Sequence, residues 1–462
     1  MPRAGPIGSV CRARSCERAD LSHPASMTSL RRTLGTTDLT LLVIGNVIGS
    51  GIFLVPSSVL RQSGSVRIAL SVWLIGGVLS LFGALSYAEL GAMDKSSGGL
   101  YAFTRDAFGR FPAFLYGWTL FFVIGAGTIA TLAVAAANYM GQFADVTPRM
   151  KQVIAVSLIA VMAVINVRGT RGSASVQNWA TGIKVGAIVV MSAILLLMGG
   201  SSGDHSAVLA VAANPSMFSA MGAAMISVLW AYEGWQYVTF AAGEAVDPQR
   251  ALPRAITLGT VALIAIYLLA NVAYLAALGP DRVAGSDRVA SEAIASVLGP
   301  WAGKAIAIAI MISMYSAAHS TVITAPRVYY TMAQDRIFFT RLAEVHPKFG
   351  TPAFAIVTSC IWAAVLAWSG TFEQLLTYVV FVGWIFYALG AASVIVLRRT
   401  RPDAERPFRV PGYPLTPILF VLAAIAIVGN TILTQPKQAA IGLGVVFLGA
   451  PAFWFWNRQR PA

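Results

Sequence analysis

The sequence predicts an all-α integral membrane protein with twelve transmembrane helices. Hydrophobic residues make up 57% of the 462-residue chain and charged residues only 11%. A water-soluble globular protein carries about 25% charged residues, so these values argue against a soluble enzyme of this length. The apolar residues occur in long runs and show no period-two alternation. Such runs are typical of membrane-spanning helices and exclude a transmembrane β-barrel.

Apolar runs free of Asp, Glu, Lys and Arg define the predicted helices. Apart from a shorter fourth run, each is long enough for a helix of about 20 residues that crosses the hydrocarbon core. The fifth run contains one charged residue, Lys184, and the others contain none. In chain order the runs cover residues 39–60, 68–88, 111–144, 152–167, 176–198, 205–232, 255–280, 305–326, 349–372, 374–397, 410–436 and 438–457.

The charge distribution predicts the orientation of the chain in the membrane. The net charge of +14 comes from 33 Lys and Arg against 19 Asp and Glu. If both termini are cytoplasmic, most Lys and Arg fall in loops on that side, as the positive-inside rule requires. The basic balance then needs no nucleic acid as a partner. We expect a multi-pass protein of the cell membrane in which residues 1–38 form a disordered cytoplasmic tail and residues 457–462 a cytoplasmic C-terminus.

Neither a cofactor nor a metal is expected from the sequence. The three cysteines, Cys11, Cys16 and Cys360, have no metal-ligand spacing and define no disulfide framework. No G-x-x-x-x-G-K-[ST] motif occurs, so a nucleotide is not expected as the energy source. The four histidines are too scattered for a catalytic metal site. The lipid bilayer is the one environment that the composition predicts, and the oligomeric state stays open.

Two of the predicted helices contain glycine at membrane depth. Helix 1 contains Gly49-Ser50-Gly51, and helix 6 contains Glu233-Gly234 between two tryptophans. Glycine weakens a helix by about 1 kcal/mol relative to alanine. An opened helix exposes N–H groups that suit a carboxylate and C=O groups that suit an ammonium. Close helix packing is the alternative for Gly-Ser-Gly. Interruptions at corresponding places in two halves favour the binding site of an inverted-repeat transporter.

Several motifs resemble one transporter family. Gly49-Ser50-Gly51-Ile52-Phe53 is similar to the GSGIF signature of amino acid–polyamine–organocation (APC) transporters, closest to the L-type amino acid transporter-like bacterial permeases. Further matches follow in order over residues 39–456: Tyr87-Ala88-Glu89-Leu90, Ser97-Gly98-Gly99-Leu100-Tyr101, Phe108-Gly109, residues 240–256, Arg327, Thr351-Pro352, Arg401-Pro402 and Arg406-Pro407-Phe408.

The resemblance implies a LeuT-like fold, a 5+5 inverted repeat with broken helices 1 and 6 plus two extra C-terminal helices. Helices 1–5 would occupy residues 39–198, helices 6–10 residues 215–398, and helices 11–12 residues 415–456. An amino acid would bind between helices 1 and 6.

By the same resemblance, the carboxylate of the amino acid would meet the N–H groups of Ser50 and Gly51 in the Gly49–Gly51 segment. The ammonium would meet carbonyls near Ile48 and around Trp230 and Tyr232, beside Glu233 and Gly234. Trp230 would be the aromatic gate over the substrate.

Glu233 departs from the family pattern, which often has glycine at this position. A carboxylate at membrane depth is costly unless it is paired or hydrated. It could contact the substrate ammonium, carry a proton or pair with a cationic side chain. Alternatively, it could make a structural hydrogen bond or face a water-filled vestibule.

Lys184 matches the lysine that sodium-independent family members place where sodium-coupled relatives hold sodium. By that resemblance its ammonium would bridge the opened part of helix 1 and hydroxyls of helix 8 such as Ser320 or Thr321. A lysine that snorkels to the membrane surface is the alternative. Two weaker candidates are His319, as a packed residue or a proton relay, and Glu244 with Arg254, as an inner gate or a loop ion pair.

These observations predict a sodium-independent secondary transporter of small or medium neutral L-amino acids that exchanges substrates by alternating access. The alternative is a proton-coupled permease or a permease for cationic amino acids or amines. A channel or an intramembrane enzyme is a remote alternative, because no catalytic constellation lies at membrane depth.

Overall fold

The structure is a computed structural model that describes residues 34–93, 98–168, 171–200 and 217–458. The regular secondary structure in these ranges is helical, apart from one isolated β-bridge between Leu34 and Ala245. The predicted N-terminal tail up to residue 33 and the last four residues lie outside the described ranges. Cys11, Cys16, His23, Ser97 and His205 also lie outside them.

The described residues of the first half of the chain form eight α-helices and two shorter helical turns. In order, these are α1 (Thr36–Val47), α2 (Gly51–Ser63), α3 (Val66–Met93), α4 (Leu100–Phe108), α5 (Arg110–Thr119), a π-helical turn (Leu120–Ile124), α6 (Gly125–Tyr139), a 3-10 turn (Met140–Gln142), α7 (Pro148–Arg168) and α8 (Arg171–Met198).

From Met217 to Arg458, the last described range, the structure has nine α-helices. In order, the elements are α9 (Met217–Ala231), a 3-10 helix (Trp235–Glu244), α10 (Pro248–Leu278), α11 (Pro280–Gly285), α12 (Val289–Leu298), α13 (Pro300–Gln334), a 3-10 turn (Thr340–Ala343), α14 (Ala353–Ser369), α15 (Phe372–Thr400), α16 (Leu415–Thr434) and α17 (Pro436–Arg458).

Nine helices of the described residues are long and apolar enough to cross a membrane, or ten if α1 and α2 count as one bent span. The protein is therefore a multi-pass helical membrane protein. Of the predicted spans, the ninth corresponds to α14, with 17 residues, and the sixth is described only from Met217, where α9 begins, because residues 201–216 lie outside the described ranges. The eighth predicted span ends later than expected, because α13 continues through Pro326 to Gln334.

Glycine and proline set several of the helix ends. Gly279 and Gly299 end α10 and α12 at positive φ values of 73° and 90°, and a proline opens the following helix in each case. Glycine adopts positive φ without steric cost, and proline at the first helical position loses no hydrogen bond. Each Gly-Pro pair therefore ends one helix and begins the next, and no helix interior is interrupted.

The third span, built from α5, the π-helical turn and α6, lies at the centre of the bundle. In its most apolar window 89% of the residues are buried, against 22% in α7 and 28% in α17. The last two helices pack at the periphery, α17 against α5 and α16 against α3. The centre of the fold therefore lies where α6, α13 and the broken helices meet.

Helix 1 is broken at the predicted position. Ile48 has extended backbone angles (φ −72°, ψ 91°), Ser50 caps the next segment, and α1 and α2 differ in direction by 45°. In helix 6, α9 ends at Ala231 and the chain turns through Gly234 at a φ of 125° before the 3-10 helix begins. Both breaks lie among buried residues, so their free backbone groups need partners within the protein.

Candidate functional site

Side chains from two helices bind the freed carbonyls at the end of α1. Lys184 Nζ in α8 donates to Gly45 O and to Ile48 O, each at 2.7 Å. Ser313 Oγ in α13 donates to Ile48 O at 3.1 Å and to Gly49 O at 3.4 Å. A carbonyl oxygen has two lone pairs, so both acceptor positions of Ile48 O are occupied. The break in helix 1 is thus held open by hydrogen bonds from other helices.

Tyr267 in α10 connects the two breaks. Its hydroxyl lies 2.9 Å from Ala231 O, the last residue of α9, and 3.2 Å from Val47 O, the last residue of α1. The role of Tyr267 was not predicted from the sequence. A tyrosine in an otherwise apolar run was the available signal, because a buried tyrosine hydroxyl usually finds a hydrogen-bond partner.

The N-terminus of α2 faces helix 6. Phe53 N and Leu54 N donate to Ser50 O, both at 3.1 Å. Ser50 and Gly51 come before these two donors in the chain, so their N–H groups lie at the very start of α2. Trp230 Nε1 donates to Ser50 Oγ at 3.1 Å. A Cβ atom on Gly51 would lie 2.4 Å from Ala231 Cα, so only glycine permits this approach of the two broken helices.

Lys184 is 2% exposed, and its three donors reach three acceptors. The third acceptor is Ser316 Oγ in α13 at 3.5 Å. The serine partner therefore differs from the expectation, which placed it at Ser320 or Thr321, about one helical turn further along α13. Thr321 Oγ1 instead donates to Ala317 O at 3.2 Å. The snorkelling alternative for Lys184 is wrong, because its ammonium is bound inside the bundle.

No carboxylate of the described residues forms an ion pair with Lys184. The positive charge is balanced instead by backbone carbonyls at the C-terminal end of α1, where the helix dipole is negative. Gln177 and Thr181 lie on the same face of α8, and Ser316 Oγ donates to Gln177 Oε1 at 3.1 Å. A polar strip of α8 therefore runs along the break in helix 1.

Glu233 is held by two neutral donors. Its Oε1 accepts from Gln236 Nε2 at 2.6 Å and from the Tyr387 hydroxyl in α15. Gln236 Nε2 also donates to the hydroxyl oxygen of Tyr387 at 2.8 Å. These contacts agree with the alternative of a structural hydrogen bond for Glu233. Gln236 and Tyr387 were missed, because nothing in the sequence fixes which side of helix 6 carries the carboxylate.

Tyr232 and Gly234 have packing contacts at the same break. The Tyr232 ring packs against Trp73 and Tyr267, with centroids 6.0 Å and 5.0 Å apart. A Cβ atom on Gly234 would lie 3.0 Å from the backbone of Asn46. The backbone of helix 6, more than the Tyr232 ring, therefore faces the break in helix 1.

His319 lies apart from this arrangement, on α13 beside α7. Asn166 Nδ2 lies 2.9 Å from His319 Nδ1. Within the described ranges, no group of three or more His, Cys, Asp or Glu side chains could hold a metal ion.

The two ends of the bundle differ in structure. At the end where α2 finishes, a cavity of about 690 Å³ opens between the helices, and we name it the vestibule. Its lining includes Leu54, Arg61, Tyr139, Ile226, Arg288 and Thr377.

At the opposite end Glu244 pairs with Arg327, through Oε1 at 2.7 Å and 2.8 Å from two guanidinium nitrogens. The predicted pair of Glu244 with Arg254 is therefore wrong. A second cluster at this end joins α4 to the end of α13, where Asp335 Oδ2 accepts from Arg105 and Tyr101. Burial and the hydrogen bond to Asp335 raise the pKa of Tyr101 above its ordinary value, so it stays a neutral donor.

The sequence profile of the amino acid permease family matches residues 34–449. The chain belongs to the amino acid permease family. This confirms the family resemblance and the prediction of an amino acid transporter, not an enzyme.

Three relatives are similar to this permease over at least 90% of its chain. It is 30% identical over 434 residues to the serine/threonine exchanger SteT of Bacillus subtilis, with 93% of this chain and 98% of that protein covered. It is 30% identical over 427 residues to the human cystine/glutamate transporter, covering 90% and 84%. It is 30% identical over 453 residues to the mouse b(0,+)-type amino acid transporter 1, covering 97% and 92%.

We expect Gly51→Ala to impair the permease, because the added Cβ would push α2 away from Ala231. Overpacking of this kind costs about 1–3 kcal/mol of stability. Thermal unfolding in detergent and amino acid uptake into liposomes measure the two effects. Gly444→Ala is the matched control, since beyond the adjoining backbone of its own helix no atom of the described residues lies within 4 Å of its added Cβ. Equal behaviour of the two variants would contradict the close approach of the broken helices.

Proposed function

We propose that this permease is a sodium-independent exchanger of small or medium neutral L-amino acids that works by alternating access. The proposal includes twelve transmembrane spans and a LeuT-like arrangement, with helices 1–5 in residues 39–198 and helices 6–10 in residues 215–398 as inverted repeats. Helices 11–12, in residues 415–456, complete it. The contact of Gly51 with Ala231 between two broken helices is the observation that carries it.

The proposed substrate site reads the two charges that all amino acids share. The N–H groups of Ser50 and Gly51 at the start of α2 would bind the carboxylate, since a helix N-terminus attracts anions. The ammonium would bind carbonyls at the ends of α1 and α9. Ile48 O already accepts two protein donors, so Val47 O is the better acceptor in helix 1. Trp230, bonded to Ser50 Oγ, would cover the substrate.

Lys184 supports independence from sodium. Its ammonium donates to the carbonyls and the serine hydroxyl between α1 and α13, which are the kinds of ligand that a sodium ion would use. A fixed positive charge repels a second cation from the same position. We propose that Lys184 replaces the ion permanently, with Ser316 as its partner in α13 in place of Ser320 or Thr321.

The two ends of the bundle support alternating access. The vestibule leaves one side of the broken helices open, while the Glu244–Arg327 pair closes the other. The positive-inside rule favours cytoplasmic termini, which would place the vestibule outside and the ion pair at the cytoplasmic face of the cell membrane. Movement of the broken helices between these two ends would expose the site to each side in turn.

Exchange is supported by the relative SteT, which is named a serine/threonine exchanger.

We expect liposomes that hold this permease to take up labelled neutral amino acid when they are preloaded with unlabelled amino acid. Empty liposomes should take up at least about tenfold less, and replacing sodium with choline should change nothing. Uptake that needs a sodium gradient, or that is equally fast into empty liposomes, would overturn the proposed mode.

Replacing Lys184 with methionine should remove transport and lower stability. Gly45 O would lose the donor that Lys184 supplies, and a buried unsatisfied carbonyl costs about 1–3 kcal/mol. Lys304→Met is the control, because that lysine is exposed on the same bundle. Thermal unfolding and counterflow measure both variants. A Lys184→Met protein that exchanges amino acids like the control would argue against this role.

Glu233 is proposed to be a structural residue of the helix 6 break. Glu233→Gln keeps an oxygen that can accept from Gln236 and Tyr387, so uptake of neutral amino acids should stay within about threefold of wild type. Glu233→Leu leaves the buried Tyr387 hydroxyl without its acceptor, at a cost of about 1–3 kcal/mol, and should lower uptake strongly. Inhibition constants of neutral and cationic amino acids complete the test. A selective loss of cationic ligands in Glu233→Gln would show instead that the charge reads the substrate.

A further inference from the structure

We propose that Arg110, Arg336 and Arg458 bind the headgroup of an anionic phospholipid, at the end of the bundle where α5 begins and α13 and α17 end. We name these three residues the arginine cluster. All three are exposed, and they come from three separate parts of the chain. The inference concerns the lipid around the permease and does not depend on the proposed exchange of amino acids.

An aromatic contact brings the start of α5 to the end of α17. Phe111, next to Arg110, packs against Phe453 of α17 with ring centroids 5.2 Å apart. Phe453 lies five residues before Arg458, which is less than two turns of the same helix. Arg110 and Arg458 therefore lie at the same end of the bundle, on either side of a shared pair of rings.

The end of α13 joins the same place through a second aromatic contact. Phe339, three residues after Arg336, packs against Trp456 of α17 with ring centroids 4.8 Å apart. Trp456 lies two residues before Arg458. The arginine cluster is thus gathered around one group of rings, although its members are far apart in the sequence.

The backbone of Arg336 is strained. Of the described residues other than glycine, it alone has a positive φ, at 56°. Arg336 N donates to Ala333 O at 3.1 Å, and the following Ile337 N donates to Met332 O at 3.2 Å. This pair of bonds is the Schellman pattern that ends many helices, and glycine is the usual residue at this position. An arginine here has a steric cost that glycine lacks, so its retention points to a role for the side chain.

The carboxylates at this end of the bundle are already paired with other arginines. Asp335 and Asp106 both pair with Arg105, at 2.7 Å and 3.3 Å. Glu344 lies 3.7 Å from Arg341. Within the ranges that the structure describes, no member of the arginine cluster forms an ion pair. Three positive charges are therefore left for an anion that the chain does not supply.

Exposed rings beside the cluster favour a phospholipid over a soluble anion. Phe339, Trp454 and Phe455 are 52%, 57% and 59% exposed. Aromatic side chains of this kind collect at the interface between membrane and water. Arginine binds phosphate with two parallel hydrogen bonds, and basic clusters next to a membrane attract anionic lipids. A phospholipid satisfies both features, because its phosphate meets the arginines while its acyl chains cover the rings.

The test measures the Tm of the purified permease in detergent during titration with phosphatidylglycerol or, for comparison, phosphatidylcholine, which has no net charge. We expect phosphatidylglycerol to raise the Tm of the wild type by about 3 °C more than the same amount of phosphatidylcholine, since a ligand of the folded state stabilises it. Inorganic phosphate alone should raise the Tm less than phosphatidylglycerol, because it cannot cover the rings.

Arg336→Gly separates the lipid site from the fold. Glycine removes the guanidinium and relieves the backbone, so without lipid the Tm should equal or exceed that of the wild type. The phosphatidylglycerol concentration that gives half of the Tm rise should nevertheless increase about fivefold. Arg110→Gln and Arg458→Gln should shift it in the same direction. Arg250→Gln is the control and should leave it unchanged, because that exposed arginine belongs to α10, which packs against α1 and α3.

Any one of four results would overturn the inference. Phosphatidylcholine or inorganic phosphate could stabilise the wild type as much as phosphatidylglycerol does. The three cluster variants could respond to phosphatidylglycerol like the wild type. Arg250→Gln could weaken the response as strongly as Arg336→Gly, which would show that only the general surface charge matters. An Arg336→Gly protein that unfolds at a clearly lower Tm without lipid would show that the arginine serves the helix end itself.

Discussion

The break in helix 1 depends on side chains that satisfy its carbonyls. Hydrocarbon offers no hydrogen bonds, so an opened helix within a membrane persists only where the protein supplies partners. Lys184, Ser313 and Tyr267 supply them from three different helices, α8, α13 and α10. The break is therefore a property of the whole bundle, and any movement of α1 must carry these contacts along or replace them.

The distribution of charge around the two breaks follows from the same constraint. Lys184 is surrounded by carbonyl and hydroxyl oxygens, while Glu233 is surrounded by neutral donors, so neither charge depends on the other. A direct ion pair between them would draw the ends of α1 and the helix 6 break together. Separate neutral partners instead let both charges stay buried without drawing the two breaks together.

The sequence was sufficient for the all-helical membrane class and for the location of both breaks. Long apolar runs located the helices, and Gly49, Gly51 and Gly234 located the breaks, because these features depend on local composition. Contacts between helices were predicted less well. Ser316 was missed in favour of Ser320 because a shift of one helical turn leaves a residue on nearly the same face. Tyr267 and Tyr387 were missed because a tyrosine in an apolar run is equally consistent with plain packing.

The fixed charge of Lys184 has a consequence for the proposed exchange cycle. A sodium ion can leave with the substrate and so supply energy from its gradient, whereas a lysine stays in place. Return of the carrier must then be driven by another amino acid. The buried Glu244–Arg327 pair adds to this requirement, since its side chains are only 15% and 6% exposed and separating them leaves uncompensated charge. In the proposed cycle, binding of a zwitterion between the broken helices would offset that cost in both directions. A fixed cation and a buried ion pair thus favour obligatory exchange over net uptake.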